Sequence, residues 1–66
     1  MNENLVKNIY ATLHVNELAF KMYKTNKNNT TVFEVKGNII EIEDDTIKFN
    51  TNESTLKEVL LNIKNI

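Results

Sequence analysis

Apolar and polar residues alternate with a period of two through the middle of the chain, between residues 18 and 50. Successive side chains of a β-strand point to opposite faces of a sheet, so this alternation predicts strands with one apolar and one mostly polar face. The apolar positions fall into four groups: Leu18, Phe20 and Met22; Phe33 and Val35; Ile40 and Ile42; Ile47 and Phe49. This part of the chain is therefore predicted to form a four-stranded sheet.

Short polar clusters separate the four strands and predict how they connect. The residues of a tight hairpin turn must tolerate positive φ, which glycine, asparagine and aspartate do better than other residues. Two-residue turns are accordingly predicted at Gly37-Asn38, at Asp44-Asp45 and at Asn28-Asn29. Strands joined by turns this short run antiparallel to their neighbours, so we expect an antiparallel meander.

After residue 55 the apolar spacing changes to that of a helix. The apolar residues of this segment are Leu56, Val59, Leu60 and Ile63, which recur at intervals of one, three and four residues. Thr55 and Glu58 form the sequence pattern of a capping box, in which each side chain bonds the backbone amide of the other residue. The sequence thus predicts a C-terminal helix that begins after Thr55.

The first fifteen residues fit both a helix and a strand. A helical stripe with Asn2 as its cap is formed by Leu5, Val6, Ile9, Tyr10 and Leu13. A strand-like alternation is formed by Ile9, Ala11, Leu13 and Val15. The pattern alone does not decide whether residues 3–15 form a helix or a strand.

Coverage of the apolar sheet face favours the helix. Four strands at about 4.8 Å spacing make a sheet roughly 19 Å wide, and one helix of about 10–12 Å diameter covers only half of it. A second helix gives an α+β fold of order α-β-β-β-β-α, with the N- and C-terminal helices packed on one face. The alternative is β5α, whose uncovered apolar face would be expected to form a homodimer.

Length and composition place these elements in one small domain spanning residues 1–66. The chain is 41% hydrophobic and 26% charged, which is ordinary for a globular protein. It contains no cysteine, which excludes disulfides and thiolate metal sites. No apolar run approaches the ~18 residues of a membrane span, and no secretory signal is recognisable, so a cytoplasmic location without membrane contact is expected.

The residue types that carry catalysis are scarce. His14 is the sole histidine, Ser54 is the sole serine, and the chain has one glycine, too few for a phosphate-binding loop. Ser54 lies in the cluster that precedes the C-terminal helix, and nothing in the sequence brings the two residues together. We therefore expect a protein that is not an enzyme and that binds no cofactor.

Carboxylates are densest at the second predicted hairpin, in Glu41, Glu43, Asp44 and Asp45. Carboxylate oxygens are the ligands that Mg²⁺ and Ca²⁺ prefer, but this spacing matches no established binding loop, and no metal site is predicted. The cluster is interpreted either as a solvated hairpin tip or as an acidic patch for a basic partner.

The polar face of the sheet is the candidate binding surface. Tyrosine and aliphatic groups ringed by charged residues are typical of protein interfaces. The residues predicted to bind a protein partner are Lys21, Tyr23, Val32, Glu34, Ile39, Glu41, Glu43, Asp44 and Asp45. The end strands of the sheet could also accept a strand from a partner.

Nucleic acid is the alternative partner. Lys21, Lys24 and Lys27, with Tyr23 among them, could contact phosphates and stack a base. The net charge of −1 and the absence of arginine disfavour this reading. A related alternative is a helix-turn-helix, with residues 5–13 and 17–24 as its two helices and the later strands as a wing.

As a class, the chain resembles the small, motif-poor proteins of phages and mobile elements, on the basis of its size, its lysine- and asparagine-rich composition and its lack of catalytic residues. Many such proteins inhibit host defence nucleases, such as CRISPR effectors, by occupying a surface. The resemblance implies a non-enzymatic protein-binding inhibitor of a host defence protein. The alternative function is a small nucleic-acid-binding transcriptional regulator. The sequence does not identify the partner, the oligomeric state or the pathway.

Overall fold

The computed structural model describes residues 3–25 and 29–66. Its elements in chain order are α1 (Glu3–Val15), β1 (Lys21–Lys24), β2 (Thr31–Val35), β3 (Asn38–Glu43), β4 (Thr46–Phe49), β5 (Asn52–Ser54) and α2 (Leu56–Lys64). Each strand pairs antiparallel with the next, so the sheet order β1-β2-β3-β4-β5 follows the sequence. The predicted α+β meander with a helix at each end is confirmed, with five strands where the sequence predicted four.

Both helices pack on the same face of the sheet. Ile9 and Leu13 of α1 and Val59 and Ile63 of α2 are buried in one core. The sheet contributes to that core Phe33, Val35, Ile40, Ile42 and Ile47, with Phe49 partly buried against it. Residues 3–15 are therefore helical, because the wide apolar face of the sheet needs a second helix to cover it. The predicted cap Asn2 lies outside the described residues.

The additional strand, β5, lies in the polar cluster that precedes the C-terminal helix, where the sequence predicted no strand. Phe49 pairs with Asn52 across a two-residue turn in which Asn50 and Thr51 have φ of 51° and 72°. Two positive φ values give the turn the twist that antiparallel strands require. The strand contains only polar residues, Asn52, Glu53 and Ser54, so no apolar alternation revealed it.

The turn between β2 and β3 lies one residue earlier than predicted. Val35 pairs with Asn38, so the two turn residues are Lys36 and Gly37, at φ 48° and 82°. The turn at Asp44-Asp45 is confirmed, since Glu43 pairs with Thr46 across it and Asp44 has φ 53°. The prediction of a two-residue turn at Asn28-Asn29 is wrong, because the amide of Thr25 donates to the carbonyl of Thr30 and so pairs these two residues; Asn28 itself lies outside the described residues.

The start of α2 is a capping box, as predicted. The amide of Glu58 donates a 3.1 Å hydrogen bond to Oγ1 of Thr55, and the amide of Thr55 donates one of 2.9 Å to Oε1 of Glu58. These bonds satisfy two donors at the helix start that have no partner within the helix. In the described part of the chain, neither helix is long and apolar enough to cross a membrane.

Candidate protein-binding surface

The helices cover one face of the sheet and leave the other open. Since Phe33, Ile40 and Ile42 point toward the helices, their strand neighbours point away from them. We call this open side the outer face. Two rows of directly paired residues cross it: Lys21, Glu34 and Ile39 form one, and Tyr23, Val32, Glu41, Lys48 and Glu53 form the other.

Tyr23 is held in place on the outer face by a hydrogen bond. Its hydroxyl donates to Oε2 of Glu34 on the adjacent strand, at 2.7 Å. This bond raises the pKa of Tyr23 above its ordinary value of 10.0, and desolvation and the negative charges of Glu34 and Glu41 raise it further. The phenol is therefore a neutral, oriented group at neutral pH, fixed before any partner arrives.

Tyr23 and Ile39 supply apolar surface among these charges. Tyr23 is 43% exposed and Ile39 41% exposed. Ile39 borders a shallow depression of about 320 Å³, whose other lining residues are Lys21, Glu34, Lys36, Gly37 and Asn38. An aromatic and an aliphatic group beside charged side chains match the composition of protein interfaces.

Val32 differs from the other residues predicted to contact a partner. It lies in the centre of the outer face, opposite Tyr23 on one side and Glu41 on the other, and is only 3% exposed. Its neighbours therefore leave it little area for contact. Val32 supports the surface from below and does not form part of it.

Negative charge dominates the outer face and the adjoining turn. Glu41 and Glu43 point outward from β3, and the exposed Asp44 and Asp45 follow directly in the turn. With Glu34 and Glu53 these make six carboxylates against three lysines, Lys21, Lys36 and Lys48, a formal charge of −3. The outer face and its adjoining turns therefore carry a net negative charge.

Two contributors to this surface, Lys48 and Glu53, were not among the predicted binding residues. The alternation of β4 already places Lys48 on the polar face, next to Ile47. Glu53 becomes part of the surface only because β5 pairs with β4, which brings it opposite Lys48. For Glu53, the sequence offered no signal beyond a polar cluster.

The lysines proposed for nucleic acid do not form one stripe. Lys21 and Lys24 are three residues apart in β1, so they lie on opposite faces of the sheet. Lys27 lies outside the described residues. Residues 21–24 form a strand, which is incompatible with a recognition helix over residues 17–24.

The single histidine and the single serine both have structural contacts. His14 lies exposed in the last turn of α1, with its ring 4.7 Å from that of Tyr10 and 6.0 Å from that of Phe20, centre to centre. Ser54 donates a 3.1 Å hydrogen bond to the carbonyl of Asn52. Among residues 3–25 and 29–66, no three histidine or acidic side chains are grouped so as to hold a metal ion.

Comparison of the chain with protein-family models, with curated proteins and with solved structures found no match.

Proposed function

We propose that this chain is a stoichiometric protein-binding module whose outer face occupies a basic surface of its partner. The observation that carries the proposal is the net negative charge of the outer face, where six carboxylates share one surface with the exposed Tyr23 and Ile39. Complementary charge guides association and selects the partner, while buried aromatic and aliphatic groups supply most of the affinity. Both components are present on the outer face.

A nucleic-acid-binding groove is the kind of basic surface that this chemistry fits. Such grooves carry lysine and arginine side chains that neutralise phosphates. The carboxylates of Glu41, Glu43, Asp44 and Asp45 offer the same side chains an alternative set of anionic oxygens. Occupying the groove would exclude the nucleic acid. The chain would thus act as an inhibitor of a nuclease, such as a host defence enzyme.

Charge reversal on the outer face tests the proposal against a matched control. The wild-type chain, a Glu41→Lys/Glu43→Lys variant and a Tyr23→Ala variant would be immobilised and used to capture partners from a host extract. Captured proteins would be identified by mass spectrometry and re-tested as purified proteins by calorimetry. We expect both variants to weaken binding at least tenfold while their circular dichroism remains that of the wild type.

The control is a Glu3→Lys/Glu17→Lys variant, which changes the net charge by the same amount at the helical side of the molecule. Because the proposal depends on where the charge lies, this variant should lose at most half as much binding free energy as the Glu41→Lys/Glu43→Lys variant loses. Equal loss in both variants would indicate a non-specific charge effect and contradict the proposed surface. Retention of a DNA or RNA probe at low salt by the wild type would point instead to nucleic acid.

A further inference from the structure

Among residues 3–25 and 29–66, no strand pairs with the outer edge of β1 (Lys21–Lys24), which ends the sheet. In the ladder to β2, the amide of Thr25 donates to the carbonyl of Thr30 at 2.8 Å. Hydrogen-bonded and non-hydrogen-bonded pairs alternate in an antiparallel ladder, so Lys21 and Tyr23 also bond to β2. The N–H and C=O groups of Met22 and Lys24 therefore point away from the sheet and can receive another strand.

An apolar patch adjoins this open edge on the side of the helices. Met22 is 48% exposed, Tyr10 is 43% exposed, and Phe20 is partly buried between them and the core. The ring of Phe20 lies 5.5 Å from that of Tyr10 and 5.8 Å from that of Phe33, centre to centre. The two helices thus cover β2, β3 and β4 better than they cover β1.

We propose that a second copy of this chain adds its β1 antiparallel to this edge, about a twofold axis at Met22. When the twofold axis is perpendicular to the sheet, directly paired residues point to the same face only if the axis passes between the two copies of one residue. With the axis at Met22, the outward-pointing N–H and C=O groups of Met22 bond to their own equivalents. The apolar patches of the two copies then meet on the helical side.

Charge is compatible with this register. Lys21 of one copy faces Tyr23 of the other, and Lys24 faces the position of Phe20, so no two lysines lie directly opposite each other. A lysine beside a tyrosine ring is a favourable arrangement, whereas like charges directly opposite destabilise a strand pair. An axis at Lys24 would bring the two Lys24 side chains together and is disfavoured.

The other edge of the sheet, that of β5, limits this association to two copies. The strand β5 contains three residues, all polar, and the chain turns directly from it into α2. In the described part of the chain, one edge of the sheet, that of β1, therefore carries both free backbone groups and apolar surface. The product is a dimer with one continuous sheet, and its outer face joins the acidic surfaces of two copies. The dimer does not depend on the proposed partner.

Proline substitution tests the role of the open edge in dimerisation without removing a hydrogen bond within the sheet. Met22→Pro removes an N–H that has no partner in β2 and that the second copy needs, and proline is tolerated at such edge positions. Glu53→Pro is the matched control, because the alternation in β4 and β5 directs the Glu53 amide to the opposite open edge. We expect a concentration-dependent dimer for the wild type and for Glu53→Pro, and at least a tenfold larger dissociation constant for Met22→Pro in analytical ultracentrifugation.

Single cysteines test the register, because the chain has none of its own. In the proposed pairing the two Cα atoms at position 22 lie about 5.5 Å apart, within reach of a disulfide. Position 24 pairs with position 20, which separates the two Cα atoms at position 24 by roughly 13 Å. We expect Met22→Cys to form a disulfide-linked dimer under mild oxidation and Lys24→Cys to form no disulfide-linked dimer.

Hydrogen exchange of the wild type tests the proposed β1–β1 contact without any variant, and it remains decisive if the proline variant unfolds. On raising the concentration, the amides of Met22 and Lys24 should become protected, while that of Tyr23 is already protected at low concentration. A wild type that sediments as a monomer at every concentration, or a dimer in which the Met22 and Lys24 amides exchange freely, would overturn the proposal.

Discussion

The hydroxyl of Tyr23 donates a 2.7 Å hydrogen bond to Glu34, two residues along the neighbouring strand from its direct partner Val32. The tyrosine ring therefore crosses the outer face diagonally instead of extending into solvent. This places an aromatic side chain at low conformational cost, since the orientation is already fixed in the free protein. The bond also sets the acidity of the phenol.

Glu34→Gln is expected to lower the pKa of Tyr23 toward 10.0. The carboxylate raises that pKa mainly by accepting the hydrogen bond, and its negative charge adds to the effect. The amide keeps an acceptor oxygen and removes the charge. An ultraviolet titration in a Tyr10→Phe background, which leaves Tyr23 as the only tyrosine, measures the shift. An unchanged or higher pKa would show that the Glu34 carboxylate does not control the phenol.

The same bond predicts the direction of the pH dependence of stability. A group whose pKa is raised in the folded state contributes stability that is complete below its unfolded pKa, here about 10. The contribution is lost as the pH rises through the higher folded value. Urea denaturation of the wild type should therefore show a decline in this alkaline range that is smaller in the Glu34→Gln variant.

Val32 and Ile39 lie on the same face of the sheet, and truncating them should have different consequences. Val32 is 3% exposed and Ile39 is 41% exposed. We expect Val32→Ala to reduce the free energy of unfolding by about 1–3 kcal/mol, because it removes buried methyl groups. Ile39→Ala should reduce it by less than about 1 kcal/mol. Denaturant titration measures both, and the reverse order would contradict the assigned burial.

Apolar alternation predicted the elements that bury apolar residues. The positions from Phe33 to Phe49 that the alternation assigned to the inner face lie in or against the core. The strand β5 escaped prediction because its pairing depends on a turn and a backbone ladder, and neither leaves an apolar pattern in Asn52–Ser54. The burial of Val32 could not be predicted either, since it depends on which side chains of two neighbouring strands flank it.

The position of the turn between β2 and β3 also could not be predicted from local sequence. Asparagine tolerates positive φ better than lysine does, yet Lys36 and Gly37, and not Asn38, have positive φ in this turn. The Asn38 side chain instead bonds in two directions: its Nδ2 donates a 3.3 Å hydrogen bond to the carbonyl of Val35, and its Oδ1 accepts one of 2.9 Å from Nδ2 of Asn50. A contact between residues twelve positions apart thus accompanies a register that local propensity did not predict.

Asn50→Ala should destabilise the protein by about 1–3 kcal/mol. Besides its bond to Asn38, the Asn50 side chain accepts a 2.8 Å hydrogen bond from the amide of Ile39 through Oδ1. Alanine removes both bonds and is less suited to the φ of 51°. Asn50→Asp keeps the acceptor for Ile39 and loses only the donor to Asn38, so it should cost less than alanine in thermal denaturation. Equal losses would show that the bond to Ile39 contributes little.

Thr51→Gly should stabilise the protein by about 0.5–1 kcal/mol, although it removes a side chain. Thr51 is β-branched and has φ 72°, a region in which the branched Cβ is crowded. Glycine relieves that strain and gives the Asn-Gly sequence preferred in two-residue hairpin turns.

Gly37→Ala, in the turn between β2 and β3, is the matched control for Thr51→Gly. Gly37 has φ 82°, and a Cβ placed there would meet no atom within 4 Å, so steric contact is not the issue. Gly37→Ala should therefore destabilise the protein by about 1–2 kcal/mol through backbone strain alone. If Gly37→Ala were neutral, or if Thr51→Gly lowered the melting temperature, backbone strain at positive φ would not govern these turns. The Thr51 side chain would then have to contribute through a contact of its own.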